Sequence, residues 1–220
     1  MNSLFRFLLL TLMVTSISAC ALRPDASERF QHVDSEQVQR HQERLVTIQE
    51  WHIRGRLAFI DTIENNRDAA SLSWSHSSDS QRLRIYHPLR GTLAQLTVNV
   101  TEEGQSATLM TPQGESHRAS NVEQLLAQHA GIHLPYHLIH QAVLGQKPTT
   151  GTTDIRYFED GTVAQYRYSD WRTGEQWHVE LGHYRLVPYH EGSVLMPHLI
   201  DVEQYGFNLK LQINQWNLEP

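Results

Sequence analysis

Apolar and polar residues alternate along most of the chain after residue 50, and a period of two residues predicts β-strands. Ile53, Leu57 and Phe59 fall on one face of such a strand, with Arg54 and Arg56 on the other. The same alternation is found around residues 70–75, 82–85, 94–100, 164–168, 177–181, 194–202 and 207–213. Turn residues separate these runs, so the pattern predicts about ten or eleven antiparallel strands with one solvated face.

Helical spacing replaces this alternation in three places. Residues 35–49 carry sparse apolar positions among charged ones, which is typical of an amphipathic helix on the domain surface. Residues 120–123 have the form of a capping box ahead of a helix that ends at Gly131, and another helix is predicted over residues 135–145. The apolar positions chosen as candidates on these last two helices are Leu125, Leu126, Leu138, Ile139 and Ala142.

The number of strands predicts the architecture, because a single sheet of this size tends to curl. Curling with the apolar face inward gives a mainly β fold with helices: an unclosed antiparallel β-barrel, covered by the two mid-chain helices as a lid and enclosing an apolar cavity. A two-sheet sandwich would have the same pattern. The candidates for lining the cavity are Leu57, Phe59, Leu72, Trp74, Leu83, Ile85, Leu96, Val98, Trp177, Val179 and Leu181. The same residues would suit an ordinary packed core.

The first 19 residues have the features of a secretory signal peptide. Arg6 precedes a short apolar run, and small residues stand just before Cys20. Residues 17–20 resemble the bacterial lipobox, in which the cysteine receives S-diacylglycerol and N-acyl groups and becomes the mature N-terminus; the alternative is an ordinary cleaved signal near an unrelated cysteine. In the corresponding sorting scheme Ala21 favours the outer membrane. We therefore expect a signal peptide at 1–19, a lipidated N-terminus and tether at 20–34, and a periplasm-facing domain at 35–220.

Charge and missing motifs narrow the functional classes. Removal of residues 1–19 leaves 17 basic against 24 acidic residues, a net charge of about −7, which argues against nucleic-acid binding. Cys20 is the only cysteine, and the sequence lacks the nucleophile-elbow, zincin and phosphate-loop motifs. His133, His137 and His140 are close in sequence, but no carboxylate joins them at ligand spacing, so no metal site is predicted. These observations favour a non-enzymatic binder of apolar ligands without a cofactor.

Several short segments, taken in order, resemble the LolB family of outer-membrane lipoprotein receptors. The similarity extends through nearly the whole mature chain. The segments are residues 54–60, Trp74, residues 87–91, Leu125 and Leu126, Gly131, residues 134–135, residues 143–145, residues 176–184, residues 196–197, residues 209–211 and Trp216. The resemblance implies an unclosed barrel with helices over its mouth. It also implies a monomeric receptor that accepts acylated lipoproteins from the periplasmic carrier LolA and inserts them into outer-membrane lipid.

The same resemblance implies a membrane-insertion loop of Pro88, Leu89, Arg90 and Gly91, with Leu89 projecting into solvent; the alternative is a leucine folded back on the core. Two positions depart from the family pattern. Arg90 separates Leu89 from the glycine, and Ala142 stands where the family often has tryptophan. Two other functional classes remain open at this point: an envelope-assembly lipoprotein that binds protein partners, and a membrane-anchored hydrolase. A buried Ser–His pair or paired carboxylates in a cleft would favour the hydrolase.

Overall fold

The computed structural model describes residues 29–102, 104–130 and 135–219. The predicted signal peptide, Cys20 and tether residues 20–28 lie outside the described residues, as do His133 and Leu134. Three helices are described: α1 (Ser35–Val46), α2 (Val122–Ala130) and α3 (Tyr136–Val143). The strands are β1 (Glu50–Asp61), β2 (Asn66–His76), β3 (Ser80–His87), β4 (Gly91–Thr101), β5 (Gly104–Met110), β6 (Ser116–Ala119), β7 (Thr152–Tyr157), β8 (Val163–Ser169), β9 (Gln176–Gly182), β10 (Arg185–Tyr189), β11 (Gly192–Met196), β12 (Leu199–Gln204) and β13 (Phe207–Glu219).

Eleven of the described strands form one antiparallel sheet in the order β6-β5-β4-β3-β2-β1-β13-β12-β9-β8-β7, and β10 and β11 form a separate hairpin. The sheet is not closed into a barrel, because β6 and β7 at its two ends are not paired with each other. The prediction of a mainly β fold with an unclosed antiparallel sheet and a helical pair inserted in mid-chain is confirmed. The alternative of a two-sheet sandwich is excluded.

Two local predictions need correction. The apolar run at residues 194–202 is not one strand, because Pro197 has no N–H for a ladder and the chain turns between β11 and β12. The residue that caps α2 is Asn121 rather than Ser120, since the Asn121 Oδ1 accepts a hydrogen bond from the Gln124 N–H at 2.8 Å. Neither correction changes the architecture.

The hairpin turns fall into two groups at opposite ends of the strands. We call one end the upper rim, which is formed by the turns at residues 62–65, 88–90, 111–115, 170–175 and 205–206. The other end, the lower rim, includes the turns at residues 77–79 and 158–162, the end of β4 at residues 101–102, and the start of β1 at Glu50. This division follows from the strand directions alone, since every pairing in the sheet is antiparallel.

The two mid-chain helices pack against the inner face of the sheet. Leu125 and Leu126 of α2 join a cluster with Leu96, Val98 and Leu109 of β4 and β5. Leu138, Ile139 and Ala142 of α3 join a larger cluster at the centre of the sheet. Each helix therefore covers its own part of the inner face.

Candidate functional site

Polar contacts fix the two lid helices to each other and to both halves of the sheet. His137 of α3 lies 2.8 Å from the Glu123 carboxylate of α2 and 3.0 Å from the Tyr168 hydroxyl of β8. The Arg172 guanidinium, in the β8–β9 turn, is 3.5 Å from the same Glu123 carboxylate. The hydrogen bond from His137 lowers the pKa of Glu123, and the positive charge of Arg172 acts in the same direction. Because α2 follows the end strand β6, these contacts bring the two ends of the sheet towards each other around the helices.

The centre of the inner face is filled. Trp51 packs edge-on against Trp74, with ring centroids 5.3 Å apart, and is stacked on His76 of β2. His140 of α3 lies over this group, and its Nε2 is 3.3 Å from the His76 Nδ1. Tyr136 closes the group on one side by donating a hydrogen bond to the Gln81 side chain at 2.6 Å. These aromatic side chains therefore pack against one another between α3 and the sheet.

An inner cavity of about 400 Å³ remains nearer the upper rim. Most of its walls are apolar, and it reaches the turns that carry Arg90 and Pro112. Its lining residues are Phe59, Asp68, Ala69, Ala70, Ile85, Arg90, Leu93, Ala94, Leu109, Met110, Thr111, Pro112, Gln113 and His129. Two alanines at inward positions are the feature of the sequence that accounts for this space. Ala70 stands opposite Leu57, and Ala94 stands opposite Ile85. A small side chain beside large ones leaves a void.

The eleven candidates for lining the cavity fall into two groups: some border the inner cavity and others lie in packed clusters. Phe59 and Ile85 line the inner cavity. Leu83 is partly buried against both clusters, and the remainder are buried in packed clusters: Leu57, Leu72, Trp74, Leu96, Val98, Trp177, Val179 and Leu181. All eleven are buried or partly buried, but the alternation did not predict which of them border empty space. Their role in holding acyl chains stays a prediction.

The candidate insertion loop is a tight hairpin turn at the upper rim. The Arg90 N–H donates to the His87 carbonyl at 3.2 Å, and the Leu89 N–H donates to the His87 Nδ1 at 3.2 Å. Gly91 follows at φ +75°, where a side chain would be strained. Leu89 is 91% exposed, so the alternative of a leucine folded back on the core is excluded. The inserted Arg90 completes the turn and places its side chain beside the inner cavity.

A larger depression of about 870 Å³ lies on the outer face of the sheet. Charged side chains of both signs line much of it, among them Arg56, Arg67, Glu180, Asp201 and Glu203. Hydrocarbon gains little from contact with ionised groups, because these groups lose hydration when an apolar ligand covers them. The smaller inner cavity is therefore the better candidate for binding acyl chains.

One Ser–His hydrogen bond bears on the hydrolase alternative. The His52 Nε2 lies 2.9 Å from the Ser73 Oγ, across β1 and β2. Both side chains are at outward positions of the alternation, and neither residue lines the inner cavity or the outer depression. Within the described ranges no group of three or more His, Cys, Asp or Glu residues is arranged to hold a metal ion.

The partly buried pair of His76 and His140 predicts that the stability of the fold depends on pH. Burial, with a smaller contribution from His76, lowers the pKa of His140 to about 4 from an ordinary value of 6.5. Between these values the unfolded chain binds a proton that the folded protein does not, so the free energy of unfolding falls as the pH falls from 7 to 5. The loss expected for this residue alone is on the order of 2 kcal/mol.

Guanidinium titrations at pH 7 and pH 5 measure this loss. A His140→Phe variant keeps an aromatic ring at the position but has nothing to protonate, so its stability should change less between the two pH values. Equal changes in the two proteins would show that His140 does not determine the pH dependence. The interval stays above the ordinary pKa of carboxyl groups, so that acid titration of Glu123 contributes little.

No helix in the described parts of the chain has the length and apolar character needed to cross a bilayer. The sequence profile of the family described as outer membrane lipoprotein LolB matches residues 49–216. The outer-membrane lipoprotein LolB of Vibrio cholerae is 27% identical over the whole of both chains. That of Erwinia tasmaniensis is 25% identical over 96% of this chain and 95% of its own.

Solved structures show the same fold at low sequence identity. A LolA superfamily protein from Nitrosomonas europaea superposes with a TM-score of 0.52 and 10% identity, covering 86% of this chain and 94% of its own. A DUF1329 family protein from Desulfovibrio piger gives a TM-score of 0.52 and 11% identity, covering 84% and 91%. Because the LolB family profile spans most of the sequence, the chain belongs to the outer membrane lipoprotein LolB family.

Proposed function

We propose that the protein is an outer-membrane lipoprotein receptor that accepts acylated lipoproteins from a LolA-like periplasmic carrier and inserts them into the outer membrane without nucleotide. The lipidated Cys20 would hold it at the membrane, with residues 35–220 facing the periplasm. The observation that carries the proposal is the position of the inner cavity beside the Leu89 loop. The mostly apolar cavity and the exposed Leu89 side chain lie at the same rim of the sheet. Membership of the LolB family supports the same assignment.

The physical need for such a receptor follows from the hydrophobic effect. Each buried methylene group is worth about 0.8 kcal/mol, so exposing a long acyl chain to water costs on the order of 10 kcal/mol. A protein that shelters the chains lets a lipoprotein move between carrier and membrane without this cost. Transfer then proceeds downhill, with each environment holding the chains more favourably than the last.

At about 400 Å³, the inner cavity would accommodate about one acyl chain. A water-sized group occupies about 30 Å³ of liquid volume, so 400 Å³ admits roughly a dozen groups of that size. A multiply acylated cargo needs more space, which displacement of α3 from the central cluster would provide. Leu138, Ile139 and Ala142 contact the inner face through apolar surfaces, and acyl chains can replace those contacts. The polar contacts of His137 and Tyr136 would be exchanged for hydrogen bonds to water.

A cavity-filling substitution tests acyl binding. Ala94→Phe adds a ring inside the inner cavity, and we expect it to reduce capture of radiolabelled lipoprotein from a loaded carrier by roughly tenfold, since it removes space for several methylene groups. Capture is measured as label that co-purifies with the receptor, using Cys20→Ala protein so that its own acyl groups do not compete.

Ala58→Phe is the matched control, because Ala58 lines the outer depression and not the inner cavity. It should leave capture close to that of the parent protein. If no label reaches the parent protein, the proposed function is wrong. Loss of capture by the Ala58 variant alone would place the acyl site on the outer face instead.

A further inference from the structure

The upper rim carries the three most exposed large apolar or aromatic side chains among the described residues. Tyr205 is 94% exposed, Leu89 is 91% exposed and Trp171 is 86% exposed. Each stands on a different hairpin turn, and Ile63, 68% exposed, stands on a fourth. A single exposed apolar residue is common on a protein surface, but four such side chains, here called tips, on four turns at one end of a sheet indicate an interaction surface.

Two of these tips are fixed to each other directly. The Thr62 N–H donates to the Gly206 carbonyl at 3.1 Å, which joins the β1–β2 and β12–β13 turns. A Cβ placed on Gly206 would lie 2.8 Å from the Ile63 Cδ1, so the isoleucine side chain runs against the turn that presents Tyr205. The two exposed side chains therefore form one neighbouring pair.

The strand registers place the Ile63, Tyr205 and Trp171 tips at nearly the same level, with the Leu89 tip about four residues lower along the strands. Strand β3 ends at His87, one residue beyond the Ser71–Tyr86 pair, before the Leu89 turn, whereas the β1–β2 hairpin continues to the Asp61–Asn66 pair. The Tyr205 turn is level with the Ile63 turn, since Asp61 and Gln204 both pair with Phe207. The Trp171 turn, which follows the Ser169–Gln176 pair, lies about one residue further in that direction. Strands in barrel walls tilt by about 35–45°, so an offset of a few residues between neighbouring turns is compatible with a shared rim.

The two rims differ in chemistry. The lower-rim turns carry polar and acidic residues: Ser77, Ser78, Asp79, Glu102, Glu159 and Asp160. The upper-rim turns present leucine, isoleucine, tryptophan and tyrosine above a mixture of acids and bases. Tryptophan and tyrosine favour the bilayer interface, where an apolar ring and a polar group are both accommodated. Separate protruding tips suit a deformable lipid surface better than a protein surface of fixed shape.

We propose that Ile63, Trp171 and Tyr205 act with Leu89 as a membrane-docking rim that sets the inner cavity mouth against the phospholipid interface. This inference rests on the proposed function, and it extends the membrane contact from one loop to four. The cavity supports it, since the cavity reaches the same rim at Arg90 and Pro112. Docking through several tips fixes the orientation of the domain, which a single inserted side chain does not.

The length of the tether is compatible with this orientation. Arg29 pairs with Glu180 on the outer face at 2.8 Å, and nine residue steps separate it from Cys20. Nine extended residues span at most ~30 Å. For comparison, β8 lies beside the strand that carries Glu180 and runs from Val163 up to Ser169 at the upper rim, which is roughly 20 Å at 3.3 Å per residue. An acylated Cys20 can therefore enter the bilayer that the upper rim contacts.

Nitroxide labels on the full-length lipidated protein in phosphatidylcholine vesicles test the rim. Acylation blocks Cys20, so a label reacts only at an introduced cysteine: Ile63→Cys, Trp171→Cys or Tyr205→Cys. Leu89→Cys is the reference, and Val46→Cys and Leu186→Cys are the controls, since these two exposed residues lie away from the upper rim. We expect the ratio of oxygen to nickel-complex collision rates to be severalfold higher at the three rim sites than at the controls.

The outcomes separate this inference from the proposed function. If the Leu89 label enters lipid while the other three stay in water, the docking rim is wrong and the proposed function stands. If the Leu89 label also stays in water, the membrane step of the proposed function fails with it. Rim labels that remain in water on vesicles but become immobile when a loaded carrier is added would show a protein-binding surface, which overturns the lipid assignment.

A functional readout accompanies the labels. The combined variant Ile63→Ser, Trp171→Ser and Tyr205→Ser should deliver captured lipoprotein to vesicles at least about tenfold more slowly, because three apolar contacts with the interface are lost. Its capture from the carrier should be unchanged. The matched pair Val46→Ser with Leu186→Ser should deliver at the parent rate. Equal delivery by both variants would overturn the docking rim.

Discussion

Leu89→Glu is expected to stop delivery of captured lipoprotein to vesicles while leaving capture from the carrier nearly normal. Burial of a leucine side chain in the bilayer contributes about 1.5–3 kcal/mol, and a carboxylate in its place adds a desolvation cost. Because Leu89 is 91% exposed and the turn is held by main-chain and His87 contacts, the substitution removes little from the folded state. Stability should change by no more than about 0.5 kcal/mol.

Delivery is followed as radiolabel that moves from the loaded receptor to liposomes, and capture as label bound before liposomes are added. Leu186→Glu is the control, since Leu186 is also exposed but lies in the β10–β11 hairpin away from the upper rim. It should behave like the parent protein. An equal loss of capture and delivery in Leu89→Glu would assign Leu89 to cargo binding rather than to the membrane step.

The alternation of residues was sufficient to predict the sheet, because each strand has one face against the lid and one in water. Leu72 and Trp74 are 2% exposed on the inner face, while the intervening Ser73 is directed outward. The same periodicity does not report free volume. Trp74 contacts Trp51, Tyr136 and His140, whereas Phe59 borders the cavity beside the small side chain of Ala70. The alternation along one strand shows which face of the sheet a side chain is on. Whether free volume lies beside that side chain depends on residues of several strands.

Contacts between residues far apart in the sequence could not be predicted from the pattern for a related reason. The contact of Glu123 with His137 and Arg172 joins three segments that no periodicity connects. The exposed Trp171 and Tyr205 were not chosen as candidates, because an aromatic residue in a turn has no partner at strand spacing. Only the registers show that their turns share the rim of the Leu89 loop. The functional interpretation of the rim therefore depends on topology, not on local sequence.

Gly55→Ala is expected to destabilise the fold by about 3 kcal/mol. Gly55 lies in β1, where the pairing with β13 shifts register between Arg54 and Gly55. The bulge brings β13 so close that a Cβ on Gly55 would lie 2.3 Å from the Gln212 carbonyl oxygen and 3.2 Å from the Ile213 Cα. These are backbone atoms in the middle of the sheet, so relief requires a shift of β13 against β1 and loss of ladder hydrogen bonds.

The midpoint of guanidinium unfolding measures the effect, and Gly192→Ala is the matched control. Gly192 begins β11, and a Cβ there would meet only the Arg44 Nη2 at 2.9 Å, the end of a flexible exposed side chain that can move aside. The control should therefore stay within about 1 kcal/mol of the parent. Equal midpoints for the two variants would mean that β13 yields readily at the bulge. The β1–β13 pair would then be a deformable part of the wall that holds Phe59 and the inner cavity, rather than its fixed centre.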